Sequence, residues 1–176
     1  MSSADITELH AVVRHLQRQQ WFAHTLERLH EELERASAEP FVRSVLAPEQ
    51  IAVALPPEIR SCWIFLLRDG TPSGRHYHPN SIQHMIALNG CGEAHVGDAH
   101  REMLSIDARA ALVDMWFVIE RGEPHEFLPR GEHMVVVSFH TCAADELEEI
   151  ACGSGGSRHY VAAQPEAAQV ASGGAL

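Results

Sequence analysis

An all-β sandwich or barrel, preceded by a helical extension, is the fold class this sequence predicts, and three observations predict it. From Pro56 onward, short apolar runs rich in branched and aromatic residues succeed one another: "RSCWIFLLR" at 60–68, then "RHYH", "QHMIAL", "GEAHV", "MLSI", "MWFVI", "HEFL" and "MVVVSFH", each of a strand's length and composition. Between them lie "DGTPSG", "HPNS", "NGCG", "GDAH", "RGEP" and "PRGEH", whose Gly, Pro, Asn and Asp favour tight reversals. Nothing after residue 50 has the length and period of a crossover helix, which argues against a parallel α/β sheet.

The segment before the strands reads as helix over residues 5 to 37. Leu9, Val12, Val13 and Leu16, then Phe22, Leu26, Leu29 and Leu33, recur at three- and four-residue steps, which builds an apolar stripe. Asp5 with Glu8 has the spacing of a capping box. A break near Gln19 to Trp21 would divide the segment into two helices, and Pro40 ends it. His10, His15, His24 and His30 fall here without the i, i+4 spacing of a helical metal pair, so they read as solvated surface residues. "DELEEI" at 145–150 reads as one acidic helical turn. The Gly-, Ala- and Ser-rich end has no period and too little apolar surface to offset its ordering entropy. The predicted organisation is a helical segment over 1–40, a barrel over 41–150 and a flexible tail over 151–176.

Composition narrows the function classes. The 176 residues are 45% hydrophobic, enough for one real core without staples. Against 24 Asp and Glu stand 13 Lys and Arg, a net charge of −11. Such a chain repels a phosphate backbone and an anionic bilayer, so neither nucleic acid nor membrane is an expected partner. No charged start precedes an apolar run, no lipidation motif is present, and no window is apolar enough to span a bilayer. Cys62, Cys91, Cys142 and Cys152 lack C-x-x-C pairing and the density of a disulfide scaffold. These features predict a soluble, cytoplasmic, reduced protein.

The chemistry concentrates in "GRHYHPNSIQHMIALNG", residues 74 to 90. On a strand, residues two apart point the same way, so His76 and His78 present two imidazoles to one side. First-row divalent ions take imidazole nitrogen at about 2.0–2.1 Å, and two such rings suit one ion. The alternative is a pair of surface histidines in a polar turn. "VIERGEPHEF", 118–127, supplies a third candidate in His125, which follows a glycine-containing turn. Gln83 alternates with His84, so if Gln83 faces a pocket His84 faces away. In "MVVVSFHTC", 134–142, Val135, Val137 and Phe139 alternate with Ser138 and His140, and either set can face inward. Arg60, Arg68 and Arg75 flank the region. An arginine fork suits a substrate carboxylate, while a solvated strand-end arginine is the plainer reading of each.

The order glycine, His-x-His, hairpin and Gly-x-x-His resembles the cupin superfamily over roughly residues 60 to 142. The first cupin motif maps onto Gly74, His76, His78, Gln83 and Gly90, and the second onto Glu120, Gly122 and His125. The resemblance implies a double-stranded β-helix, the cupin or jelly-roll barrel, with His76, His78 and His125 as metal ligands. Two residues depart from the pattern: Gln83 replaces the acidic ligand and Glu120 the motif proline. Three histidines leave the ion its full charge, and a neutral Gln83 binds weakly through oxygen or donates a hydrogen bond to substrate.

The last strand is similar to that of cysteine-dioxygenase-type thiol dioxygenases, which carry three histidine ligands and a late Ser-x-His-x-Tyr. Ser138 and His140 match, and Cys142 stands where tyrosine would be. The resemblance implies a non-haem iron dioxygenase acting on a small chelating substrate such as a thiol, a catechol-like ring or a diketone. His140 and Gln83 are the implied catalytic residues, His140 as acid or base. One divalent metal ion is the implied cofactor, iron first, with zinc, nickel, copper or manganese as alternatives. The competing functions are a non-oxidative metal-dependent lyase, isomerase or decarboxylase, and a small-molecule-binding cupin without catalysis. A homodimer is expected, because exposed edge strands need cover and the helices must bury their apolar side on their own barrel or a partner's.

Overall fold

The computed structural model describes residues 5–153 and 156–159. Two helices, α1 (Ile6–Leu16) and α2 (Gln20–Arg35), lead into β1 (Phe41–Leu46), the single turn α3 (Pro48–Ile51), β2 (Ser61–Leu67), β3 (His76–Tyr77) and β4 (Gln83–Ala87). The chain continues through β5 (Cys91–Val96), β6 (Ala99–Leu104), the turn α4 (Leu112–Met115), β7 (Trp116–Ile119), β8 (His125–Arg130), β9 (Met134–His140), β10 (Glu148–Ala151) and β11 (Ser157–His159). One sheet has the order β1-β2-β9-β4-β7 and the other β11-β10-β3-β8-β5-β6. The paired strands are antiparallel, and partners such as β2 with β9 or β3 with β8 are far apart in the chain. This interleaving is the double-stranded β-helix that the motif spacing implies.

The helices pack on their own barrel. Leu9, Val12, Val13, Leu16, Phe22, Leu29 and Leu33 share one buried cluster with Ile64 and Leu66 of β2 and Val135, Val137 and Phe139 of β9. The first sheet is therefore buried on both faces, which explains why "SCWIFLL" and "MVVVSFH" are continuous apolar runs rather than alternating ones. It also settles the parity of β9. The more apolar set, Val135, Val137 and Phe139, faces the helices, while Val136, Ser138 and His140 line the barrel interior.

Several local expectations are corrected. The helical break falls at residues 17–19. Asp5 caps α1 by accepting the Thr7 N–H at 2.8 Å, a simple cap rather than the reciprocal box with Glu8. The first barrel strand, β1, was not among the strands the apolar runs predicted, and it pairs with β2 along its whole length. The acidic turn expected at 145–150 gives way to β10, because β3 and β11 offer it main-chain partners on both sides. β11 lies within the stretch expected to be tail, of which residues 154–155 and 160–176 lie outside the described residues.

Arg68, just past β2, ties the helical layer to the barrel. Its Nε donates to the Glu39 carbonyl at 2.8 Å, and its Nη2 to those of Leu33 at 2.7 Å and Ala36 at 2.8 Å. The last carbonyls of a helix have no partner within the helix, and a cation there also favours the helix dipole. Replacing Arg68 with methionine is expected to cost about 2 kcal/mol, read as a lower urea midpoint. An unchanged midpoint would mean that water serves those carbonyls equally well.

Candidate metal centre

Three histidines meet where the second sheet is narrowest. β3 is two residues long, and His76 pairs directly with His125 of β8. The ring centroids are 4.3 Å apart for His76 and His125, 5.1 Å for His76 and His78, and 5.2 Å for His78 and His125. One ligand-capable atom from each lies within 4.8 Å of the others.

Each ring is anchored by its far nitrogen. His76 Nδ1 meets the Gly74 carbonyl at 2.7 Å, His78 Nδ1 the Glu148 carbonyl at 2.7 Å, and His125 Nδ1 the Glu123 carbonyl at 3.0 Å. A carbonyl only accepts, so each Nδ1 carries the proton and donates it. Each Nε2 is then left with its lone pair, the tautomer a metal ligand needs. Two glycines make the anchoring turns possible: Gly74 has φ 90° and Gly122 φ 72°, values that side chains with a Cβ resist.

The electrostatics agree with this tautomer. Burial lowers the His78 pKa to about 4. Burial, with His76 and His78 beside it, holds His125 well below its ordinary value. Both rings therefore stay neutral at physiological pH. His125 Nε2 is buried without a hydrogen-bond partner, and such an orphaned acceptor costs about 1–3 kcal/mol. A bound cation would remove that cost, so the donor set fits a metal ion.

A second polar row crosses the other sheet. Gln83 of β4 pairs in register with His140 of β9. Gln83 Nε2 donates to Ser138 Oγ at 3.0 Å, Ser138 Oγ meets His140 Nε2 at 3.0 Å, and His140 Nδ1 meets Ser81 Oγ at 3.3 Å. Ser81 Oγ donates to the Ile82 carbonyl and so accepts from His140 Nδ1–H, which leaves His140 Nε2 to accept the Ser138 hydroxyl. Burial holds His140 far below its ordinary pKa, which keeps this line neutral. The His140 ring is 5.2 Å from that of His78. Gln83 lines the cavity and its Oε1 is buried without a partner.

The cavity walls are Phe41, Phe65, Leu67, Met85, Phe127 and Val136, and no Lys or Arg is among its lining residues. The three flanking arginines are engaged elsewhere: Arg60 pairs with Glu146 at 3.1 Å, Arg75 donates to the Gly97 carbonyl at 2.7 Å, and Arg68 holds α2. His84 is fully buried beyond the cavity, on the same side of β4 as Ile86. Cys142 packs with Trp63 and Leu147. A second grouping, Glu93, His95 and His100, lies on the β5–β6 hairpin, where Arg130 already holds Glu93 at 2.8 Å.

One residue escaped the sequence reading. Glu149 of β10 is buried, and its Oε2 stands 3.5 Å from His76 Nε2. Its signal was the two-residue alternation of buried Leu147 with Glu149, which was hidden because an acidic run suggests a solvated turn.

The fold and the histidine group together define a double-stranded β-helix barrel with a candidate metal site. The chain superimposes on a variant of salicylate 1,2-dioxygenase from Pseudoaminobacter salicylatoxidans with a TM-score of 0.52, at 14% identity, over 69% of this chain and 33% of that one. It spans about a third of that dioxygenase's length. The cupin domain of Schizosaccharomyces pombe Cnp3 matches with a TM-score of 0.44 and 14% identity over 58% of this chain and 64% of that one. An uncharacterized conserved protein with a double-stranded β-helix domain from Klebsiella pneumoniae matches with a TM-score of 0.44 and 19% identity, over 70% of this chain and 86% of that one. No protein-family model and no curated protein matches the chain. Among the described residues, no helix is long and apolar enough to cross a membrane.

Proposed function

We propose that this chain is a metal-dependent cupin enzyme, a non-haem iron dioxygenase in which His76, His78 and His125 hold the ion. The observation that carries the reading is the set of three converging Nε2 lone pairs, each fixed by an Nδ1–H bonded to a main-chain carbonyl. Iron held there would supply oxygen-dependent redox chemistry and open positions for a chelating substrate. The protein's own groups do the rest. The aromatic and aliphatic walls exclude water and orient a small apolar body. Gln83 Oε1, unpartnered and facing the cavity, accepts a substrate hydroxyl or enol proton. His140, bonded through Ser138 Oγ to Gln83 Nε2, holds that amide with its Oε1 toward the substrate. With no Arg or Lys lining the cavity, a neutral catechol-like ring or diketone suits it better than a substrate bound through a carboxylate.

A homodimer in the cytoplasm belongs to the same reading. β6 and β7 are the edge strands at one end of their sheets, and Val113 and Val118, at and beside the β7 edge, are 64% and 37% exposed, which suits cover by a second copy.

The test is oxygen uptake by the iron-loaded protein with a catechol, a β-diketone and a thiol in turn. The expected result is substrate-dependent oxygen consumption with one of them and no turnover under argon. Turnover without oxygen, supported by zinc or nickel, would replace this reading with a Lewis-acid lyase or isomerase. Saturable binding with no turnover in either atmosphere would leave a binding cupin.

A further inference from the structure

We infer that Ser81, which belongs neither to the cavity lining nor to the histidine group, sets the hydrogen-bonding polarity of the cavity. It turns the Gln83 amide so that this wall offers an acceptor, and the site thereby selects a neutral substrate that brings a hydroxyl, enol or N–H donor. The inference rests on the reading of the cavity as the substrate site and deepens it, whichever metal the histidines hold.

The far end of the polar line fixes its direction. Ser81, Ser138 and His140 are buried, so each of their hydrogens needs an acceptor within the protein. Ser81 Oγ accepts the Thr141 N–H at 3.1 Å, and a main-chain N–H has no other role to take. One lone pair and one hydrogen of Ser81 remain. The hydrogen goes to the Ile82 carbonyl at 3.1 Å, because the Cys142 sulfur, also within reach, is the weaker acceptor. The lone pair takes the His140 Nδ1–H at 3.3 Å. His140 Nε2 then accepts the Ser138 hydroxyl, and Ser138 Oγ accepts from Gln83 Nε2, each at 3.0 Å.

The near end agrees independently. The second hydrogen of Gln83 Nε2 has Met85 Sδ as its acceptor at 3.8 Å, and a thioether only accepts. Reversing the amide would set Oε1 against that sulfur, and it would require Ser81 to give up the Ile82 carbonyl. What remains is Gln83 Oε1, buried without a partner beside the cavity. A ligand that offers only acceptors leaves this oxygen desolvated and unpaired, whereas a donor satisfies it. Ser81 is thus a positioning residue. Without its hydroxyl His140 Nδ1 has no partner, and the proton is better placed on Nε2, facing Ser138 Oγ. The Ser138 hydroxyl then turns to Gln83, and the amide presents its Nε2 to the cavity instead.

Two readings on the metal-free full chain test this. With nitrogen-15 in the histidines, two-bond nitrogen–proton NMR correlations report the His140 tautomer, assigned by its loss in His140→Gln. The parent is expected to carry the proton on Nδ1. Ser81→Ala is expected to move it to Nε2, and Ser81→Thr, which keeps the hydroxyl, to leave it in place. Ser81→Cys, of similar shape but a poorer acceptor, replaces the alanine variant if that fails to fold. Chemical-shift titrations with phenol and with anisole read the selection. The parent is expected to bind phenol about tenfold to a hundredfold more tightly than anisole. Ser81→Ala is expected to abolish or invert that preference, a comparison in which the extra methyl of anisole cancels. A parent with its proton on Nε2, equal binding of the two rings by the parent, or a parental tautomer in the variant would each overturn the inference. A parent that binds neither ring would overturn the substrate-site reading, and the selection with it.

Discussion

Replacing His125 with alanine is expected to leave a folded chain that has lost its metal. In the proposed site His125 is the residue that joins the two halves of the motif, because it reaches the group from β8 while His76 and His78 arrive together on and just after β3. Apparent binding energies for structural zinc run at about 10–16 kcal/mol over four donors, so one imidazole accounts for about 3–4 kcal/mol. Affinity is expected to fall roughly a hundredfold to a thousandfold. The variant loses the Nδ1–H bond to the Glu123 carbonyl but also the orphaned Nε2, so it is expected to remain folded at a modest cost in stability. Elemental analysis of protein purified without an affinity tag checks the expectation. The parent should carry near one equivalent and the variant little, with circular dichroism confirming that both are folded. Full occupancy in the variant would take His125 out of the site.

Acid is expected to destabilise the metal-free protein steeply, and from an unusually high pH. His78, His125 and His140 are kept neutral by burial, His78 with a pKa of about 4 and the other two well below their ordinary value. In the unfolded chain each ionises near pH 6.5. Between that value and the depressed folded ones, the unfolded state binds more protons, so stability falls as pH falls. Each ring contributes up to about 1.4 kcal/mol per pH unit in that window, and three acting together reach about 4 kcal/mol per pH unit. Urea midpoints should be level from pH 8 to 7 and drop sharply below 6.5. His140→Gln should flatten the slope by about a third. A profile level down to pH 5 would mean that the rings charge in place at no cost.

The barrel was legible because turn residues cut the chain into strand-length pieces, and His76, His78 and His125 were legible because their spacing is fixed by the strand period and the glycine turns. What stayed hidden depended on the layer outside the barrel. The parity of Ser138 and His140 cannot be read from β9 alone, because the face of Val135, Val137 and Phe139 is apolar for the sake of α1 and α2. Arg68 carries no mark of its duty to two helix-end carbonyls and that of Glu39 beyond them until α2 is laid on β2. Glu149 was lost for the opposite reason. An acidic sequence predicts exposure, and only the pairing of β10 with β3 turns that carboxylate inward.

β3 has two residues, one pairing with β8 and two with β10. The rung that carries His76 is thus the least stitched part of its sheet. An ion bound there would act as a clasp on strands that few main-chain bonds join. Metal loading is therefore expected to raise the protection of the β3 and β10 amides against hydrogen exchange more than that of the other strands.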